Sequence, residues 1–202
     1  MIVDGVEMRG VALDDAAGLA EAFARNRAFM ARFEPVRPDA FYTEDGQRER
    51  IEGVLAERDA GRIVPYVFVE SATGAPVGAI NLGSIAYGPL CSGGVGYWVD
   101  PAWHGKGVAT AAVEEVCRVA RDELGLHRVE AGTLVDNLAS QRVLAKAGFE
   151  PFGLAPRYLP KHSARRAPPP AAACVRAGAG VSAPVPGRPR PPRPRPCWRR
   201  GG

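Results

Sequence analysis

Gly96-Tyr97-Trp98-Val99-Asp100-Pro101-Ala102-Trp103-His104-Gly105-Lys106-Gly107-Val108-Ala109-Thr110 is the stretch from which the rest of the chain can be read. Tyr97, Trp98 and Val99 are aromatic or β-branched and predict a short buried strand, which Asp100-Pro101 stops. Gly105 and Gly107 let the backbone turn its N–H groups toward one point without interference from a Cβ. A helix then begins at once, apolar at Val113, Val116, Cys117, Ala120 and Leu124. Unpaired N–H groups and the positive end of the helix dipole meet at its start, so the stretch predicts a cradle for a phosphate or pyrophosphate.

Counting excludes two common phosphate loops. A P-loop needs a glycine five residues before Gly105, where Asp100 stands, and a Ser or Thr after Lys106, where Gly107 stands; a dinucleotide fingerprint from Gly94 and Gly96 fails at Val99. The run His104-Gly105-Lys106-Gly107-Val108-Ala109 instead fits [QR]-x-x-G-x-[GA], with His104 in the first position. On a strand-loop-helix this resembles the acetyl-coenzyme A loop of the GNAT N-acetyltransferase superfamily. The resemblance continues in Asp136-Asn137-Leu138-Ala139-Ser140 followed by Val143-Leu144-Ala145-Lys146-Ala147-Gly148-Phe149. Phe33 to Pro38, Gly46-Gln47-Arg48 and Gly78 to Leu82 resemble the branch that acetylates the N-terminal amines of ribosomal proteins. It extends over residues 3 to 158.

The resemblance implies an α/β fold, a mixed sheet flanked by helices, and acetyl-coenzyme A as co-substrate. It implies a pyrophosphate on the amides from Gly105 through Lys106, Gly107 and Val108 to Ala109, and a pantetheine running along Trp98 and Val99 like an added strand, with the Val99 N–H meeting the oxyanion. His104 is expected either to contact phosphate or to be a plain loop histidine. Lys106 either screens phosphate charge or is a solvated lysine, and Asn137 either bonds the cofactor or caps a helix. Many relatives carry a tyrosine acid seven residues after the Asn, where Leu144 stands here, so Ser140 is the candidate acid for the departing thiolate. Glu130 is the first candidate for the general base and Glu34 the second. The expected acceptor is a protein N-terminal amine, with a ribosome contact; the alternatives are a small amine such as an antibiotic or polyamine, and a non-catalytic acetyl-coenzyme A-binding paralogue. No Ser-His-Asp or Cys-His set points to a covalent intermediate, so direct attack in a ternary complex is expected.

Charge divides the chain unevenly. The net charge is +4, yet from Pro160 to Gly202 there are nine Arg, one Lys and no acidic residue, which leaves sixteen basic against 22 acidic side chains in residues 1 to 159. Such an acidic domain is a poor binder of nucleic acid and suits a cationic substrate. Cys91, Cys117, Cys174 and Cys197 form no CxxC pair and support neither a metal site nor a disulfide framework. Met1 to Gly10 has no apolar run of the kind a signal peptide needs, no stretch reaches membrane-span length, and a cytoplasmic setting is expected.

In chain order, the pattern predicts an edge strand over Ile2 to Val11, a helix from Asp14 or Asp15 that Pro35 and Pro38 end, and a helix from Thr43 to Gly61. Strands follow over Val64 to Glu70 and Pro76 to Leu82, then the glycine-loop strand and its helix to Gly125. His127 to Leu134 is a strand, the second motif opens a helix that stops at Gly148, and Phe149 to Gly153 is a strand. The first domain is thus 1–159. Residues 160–202 hold eleven of the 19 prolines and predict a disordered or polyproline-like basic tail, either an arm for rRNA or a Pro-rich ligand, or the product of a frameshift in a GC-rich gene. In either case the last strand of the fold is expected to be missing, leaving unpaired backbone beside the cleft.

Overall fold

A computed structural model describes residues 1–156 and 172–178. The elements are β1 (Val6–Gly10), α1 (Ala16–Met30), α2 (Glu44–Asp59), β2 (Val64–Glu70), β3 (Pro76–Ala86), β4 (Ser92–Val99), α3 (Val108–Asp122), β5 (Arg128–Leu134), α4 (Leu138–Lys146), β6 (Glu150–Ala155) and β7 (Ala172–Gly178). They build one seven-stranded mixed sheet in the order β1-β2-β3-β4-β5-β7-β6, as the α/β reading requires. All pairings are antiparallel except that of β4 with β5.

Both faces of the sheet are covered, which explains why Val67, Phe68 and Val69 are all buried in a continuous run. Phe68 joins Ile80, Leu82, Val95 and Val99 against Val113 and Val116 of α3. Val67 and Val69 point the other way, against Leu19 and Phe23 of α1 and Ile51 of α2. Local chemistry sets the helix ends: the Gly46 N–H donates to Thr43 Oγ1 at the start of α2, and Gly61, at φ +72°, follows its end. α1 stops at Met30, ahead of the prolines expected to end it. Gly78 is required by packing, because a Cβ there would stand 2.5 Å from the Trp98 carbonyl oxygen and 2.6 Å from Phe68 Cδ2. Among the described residues no helix is long and apolar enough to cross a membrane.

Two expectations are corrected. The last strand is not missing: β7, inside the segment read as disordered tail, lies between β5 and β6 and pairs antiparallel with both. Ala172-Ala173-Cys174-Val175-Arg176-Ala177-Gly178 carries one β-branched residue and reads poorly as a strand. Strand preference depends on surroundings, however, and two flanking ladders hold this backbone while Val175 is buried in the core. The rest of the tail, and with it the arm and frameshift readings, lies outside the described residues. Cys91 is disulfide-bonded, against the expectation of none; spacing along the chain does not report which cysteines meet in space. Cys117 and Cys174 are free.

Candidate active site

The site begins where two strands part. β4 and β5 pair only across Ser92–Gly94 and Arg128–Glu130, whereas β4 stays paired with β3 as far as Val99. The outer half of β4 therefore has a bare edge facing a cleft of ≈ 1180 Å³, the space an added strand-like ligand would fill. Asp100 N–H donates to the Val77 carbonyl of β3 at 2.8 Å. Backbone groups alternate sides along a strand, so the Val99 N–H, one residue earlier, points into the cleft. The Val99 carbonyl on that edge is engaged, at 2.9 Å, by Nε2 of His104. That histidine also packs against Phe29, the rings tilted by 60° with centroids 5.3 Å apart. Its ring thus fixes the end of β4. The Val99 side chain is buried against α3, so it offers the cleft mainly backbone, whereas the Trp98 ring packs on Phe23, with ring centroids 4.8 Å apart, and lines the cleft with it.

Gly105 and Gly107 hold φ of +76° and +83°, the left-handed region where a side chain is strained. Gly107 is the N-cap of α3, and no side chain caps that end. The first bond of the helix is from the Ala111 N–H to the Gly107 carbonyl, which leaves the N–H groups of Val108, Ala109 and Thr110 open toward the cleft. Lys106 is not part of the cleft wall; its ammonium sits 4.1 Å from the centroid of the Trp103 ring.

The far wall is α4. The Asn137 carbonyl oxygen accepts from the Ser140 N–H at 3.1 Å, so Asn137 caps the helix. The Ser140 hydroxyl lies 2.9 Å from the hydroxyl of Tyr97, a residue that the sequence reading assigned only to a strand. Burial pushes the Tyr97 phenol above its ordinary value, although the bond to Ser140 acts against this, so it is a neutral O–H donor at neutral pH. Arg142 and Lys146, one turn apart on α4, also line the cleft. Their i, i+4 spacing was a signal available in the sequence.

Both carboxylate candidates reach the same cleft. Glu130 forms an ion pair with Arg128 Nε at 3.1 Å through Oε1, leaving Oε2 without a partner among the described residues. Glu34 lies 3.5 Å from Arg37 at the opposite end.

Asp100 ties this site to α1. Its Oδ2 accepts from Arg25 Nε and Nη2 and from Asn26 Nδ2, and its Oδ1 from the Ala102 N–H. Burial alone would raise its pKa, but the bonds from Asn26, Ala102 and Arg25 outweigh it and the carboxyl is held below its ordinary value. A depressed pKa contributes stability above the unfolded value near 3.8 that is lost as pH falls through the folded value. Donors face both oxygens, so an Asn at this position must turn an N–H₂ toward one of them. Asp100→Asn is therefore expected to cost about 2 kcal/mol at pH 7 in chemical denaturation, with the gap to wild type shrinking below about pH 4. A pH-independent gap would remove the carboxylate's charge from the account.

The family model described as the acetyltransferase (GNAT) domain matches residues 6–150. The chain belongs to the GNAT acetyltransferase family. It is a GNAT N-acetyltransferase similar to "Probable N-acetyltransferase YjcK" of Bacillus subtilis, at 38% identity over 65% of this chain and 73% of that protein. The ribosomal-protein-S5-alanine acetyltransferase of Vibrio fischeri superposes with a TM-score of 0.82 at 26% identity, covering 90% of this chain and 97% of the other. Mycobacterium smegmatis RimJ, solved in complex with CoA-disulfide, superposes with a TM-score of 0.79 at 29% identity, covering 86% of this chain and 82% of RimJ.

Proposed function

We propose that this GNAT enzyme moves the acetyl group of acetyl-coenzyme A onto the N-terminal α-amine of a protein, of the ribosomal-protein type, in the cytoplasm and by direct attack in a ternary complex. The observation that carries the reading is the bare β4 edge, with the Val99 N–H at its end and the open N–H groups of α3 beside it. Pantetheine would lie along β4 and the pyrophosphate on Val108 to Thr110, with Arg142 and Lys146 as further cations. The amine nitrogen attacks the thioester carbonyl carbon, and the developing oxyanion accepts from the Val99 N–H. The C–S bond then breaks and the thiolate takes a proton from Ser140 Oγ, which takes one in turn from the Tyr97 hydroxyl, and the phenol is reprotonated from solvent; the proton lost by the amine passes through water to Glu130. Support for the acceptor class comes from the structural neighbour that is a ribosomal-protein-S5-alanine acetyltransferase, and support for the cofactor from RimJ, which was solved with CoA-disulfide.

A panel of N-terminal peptides and small amines, read by release of free thiol, tests this. Turnover is expected on peptides. Product on small amines alone would end the ribosomal reading, and cofactor binding without product on any amine would favour a non-catalytic paralogue.

A further inference from the structure

The half of the cleft that lies beyond the thioester position is built from Phe23, Phe33, Phe41 and Trp98, and two cations enter it, Arg37 and Arg50. Arg50 differs from the other arginines among the described residues. It is partly buried and has no carboxylate within ion-pair distance among the described residues; Arg32, Arg142 and Arg176 also lack one but are exposed. Its Nε donates to Gln47 Oε1 at 2.7 Å, and its guanidinium carbon lies 5.5 Å from the centroid of Phe23. Gln47 is fully buried, so the head group is held in place while its Nη groups have no acceptor among the described residues. Burial, and next the charge of Arg37, lower its pKa, and Glu34 only partly offsets this.

A guanidinium taken partly out of water without a counter-charge is costly, and an anionic ligand removes that cost. Two arginines against the single carboxylate of Glu34 give this pocket a positive charge, although residues 1–159 are acidic as a whole. The general expectation of a cationic substrate from the domain's charge is therefore reversed at the site. Planar, fixed and presenting paired N–H groups, Arg50 matches a carboxylate better than a lone phosphate or a carbonyl.

We infer that the acceptor half of the cleft selects an amine that carries a carboxylate close by, with Arg50 as the group that reads it and Arg37 as its support. The inference deepens the proposed acetyl transfer and rests on it for the amine. The carboxylate belongs either to an acidic side chain near the start of a polypeptide or to the α-carboxylate of a free amino acid.

The experiment measures kcat/KM with acetyl-coenzyme A on matched amidated peptides, Ala-Glu against Ala-Gln and Ala-Asp against Ala-Asn, and on free alanine against alaninamide. The wild type is expected to favour the carboxylate member of a pair by about tenfold or more, the range of a charge-assisted bond. Arg50→Gln should bring that ratio near one, and Arg37→Gln, at an exposed residue whose loss does not threaten folding, should lower it part of the way. A preference confined to the peptides assigns the carboxylate to a polypeptide, and one confined to alanine assigns it to an amino acid. Ratios near one in the wild type, or unchanged in Arg50→Gln, would overturn the inference. If no amine releases thiol, the transfer reading fails separately, and calorimetry with N-acetyl-Ala-Glu and N-acetyl-Ala-Gln still decides: tighter binding of the acid in the wild type but not in Arg50→Gln supports the inference, and equal binding sinks it.

Discussion

Gly107→Trp is expected to abolish binding of acetyl-coenzyme A, from micromolar-range affinity in the wild type to no heat of binding by calorimetry. Two physical effects act together. The backbone at Gly107 sits at φ +83°, where a residue with a Cβ is strained by about 1–2 kcal/mol, so the turn that aims the open N–H groups is disfavoured. The indole itself would then occupy space at the N-terminus of α3 that the pyrophosphate needs. A Cβ at this position meets only Val3 Cγ1, at 3.9 Å, so the substitution strikes the loop rather than the core and the variant is expected to fold. Unchanged affinity in a folded variant would place the phosphates elsewhere in the cleft.

Ser140→Ala is expected to lower turnover by about 10²-fold while leaving the affinity for cofactor nearly intact, because a proton donor to the thiolate acts in the transition state more than in the bound ground state. The 2.9 Å bond between Ser140 Oγ and the Tyr97 hydroxyl adds a finer expectation. Tyr97→Phe removes one donor to the serine and should slow turnover by a smaller factor. The double variant should be no slower than Ser140→Ala alone, since the phenol acts through the serine. A loss under about threefold for Ser140→Ala at saturating cofactor would make its hydroxyl a structural group, and additive losses would give Tyr97 a separate route to the substrate. Helix capping is not at risk in these variants, because Asn137 accepts from the Ser140 backbone N–H, which Ala retains.

What the chain states locally, it states in full. Gly105 and Gly107 before an amphipathic run, Thr43 ahead of Glu44 and Asp45, Gly61 after α2, and Asn137 opening α4 are effects of backbone freedom and of donors satisfied within four residues, so they are legible one turn at a time. The strands with β-branched and aromatic residues, Val64–Glu70 above all, are legible for the same reason. β7 is the contrary case: seven residues, mostly small, become a strand because β5 and β6 present ladders on both sides, and neither ladder is near them in the sequence. The site divides along the same line. Which residues form the glycine turn and the uncapped start of α3 was decided by the sequence, whereas the parting of β4 from β5 after Gly94, the turn of His104 back onto the Val99 carbonyl and the meeting of Tyr97 with Ser140 were decided only in the folded chain. Each of those joins groups from separate elements, or depends on a hydrogen bond that fails to form. A pattern of neighbours records neither, and so Arg50, without a carboxylate partner among the described residues, also became visible in the cleft only once its surroundings were built.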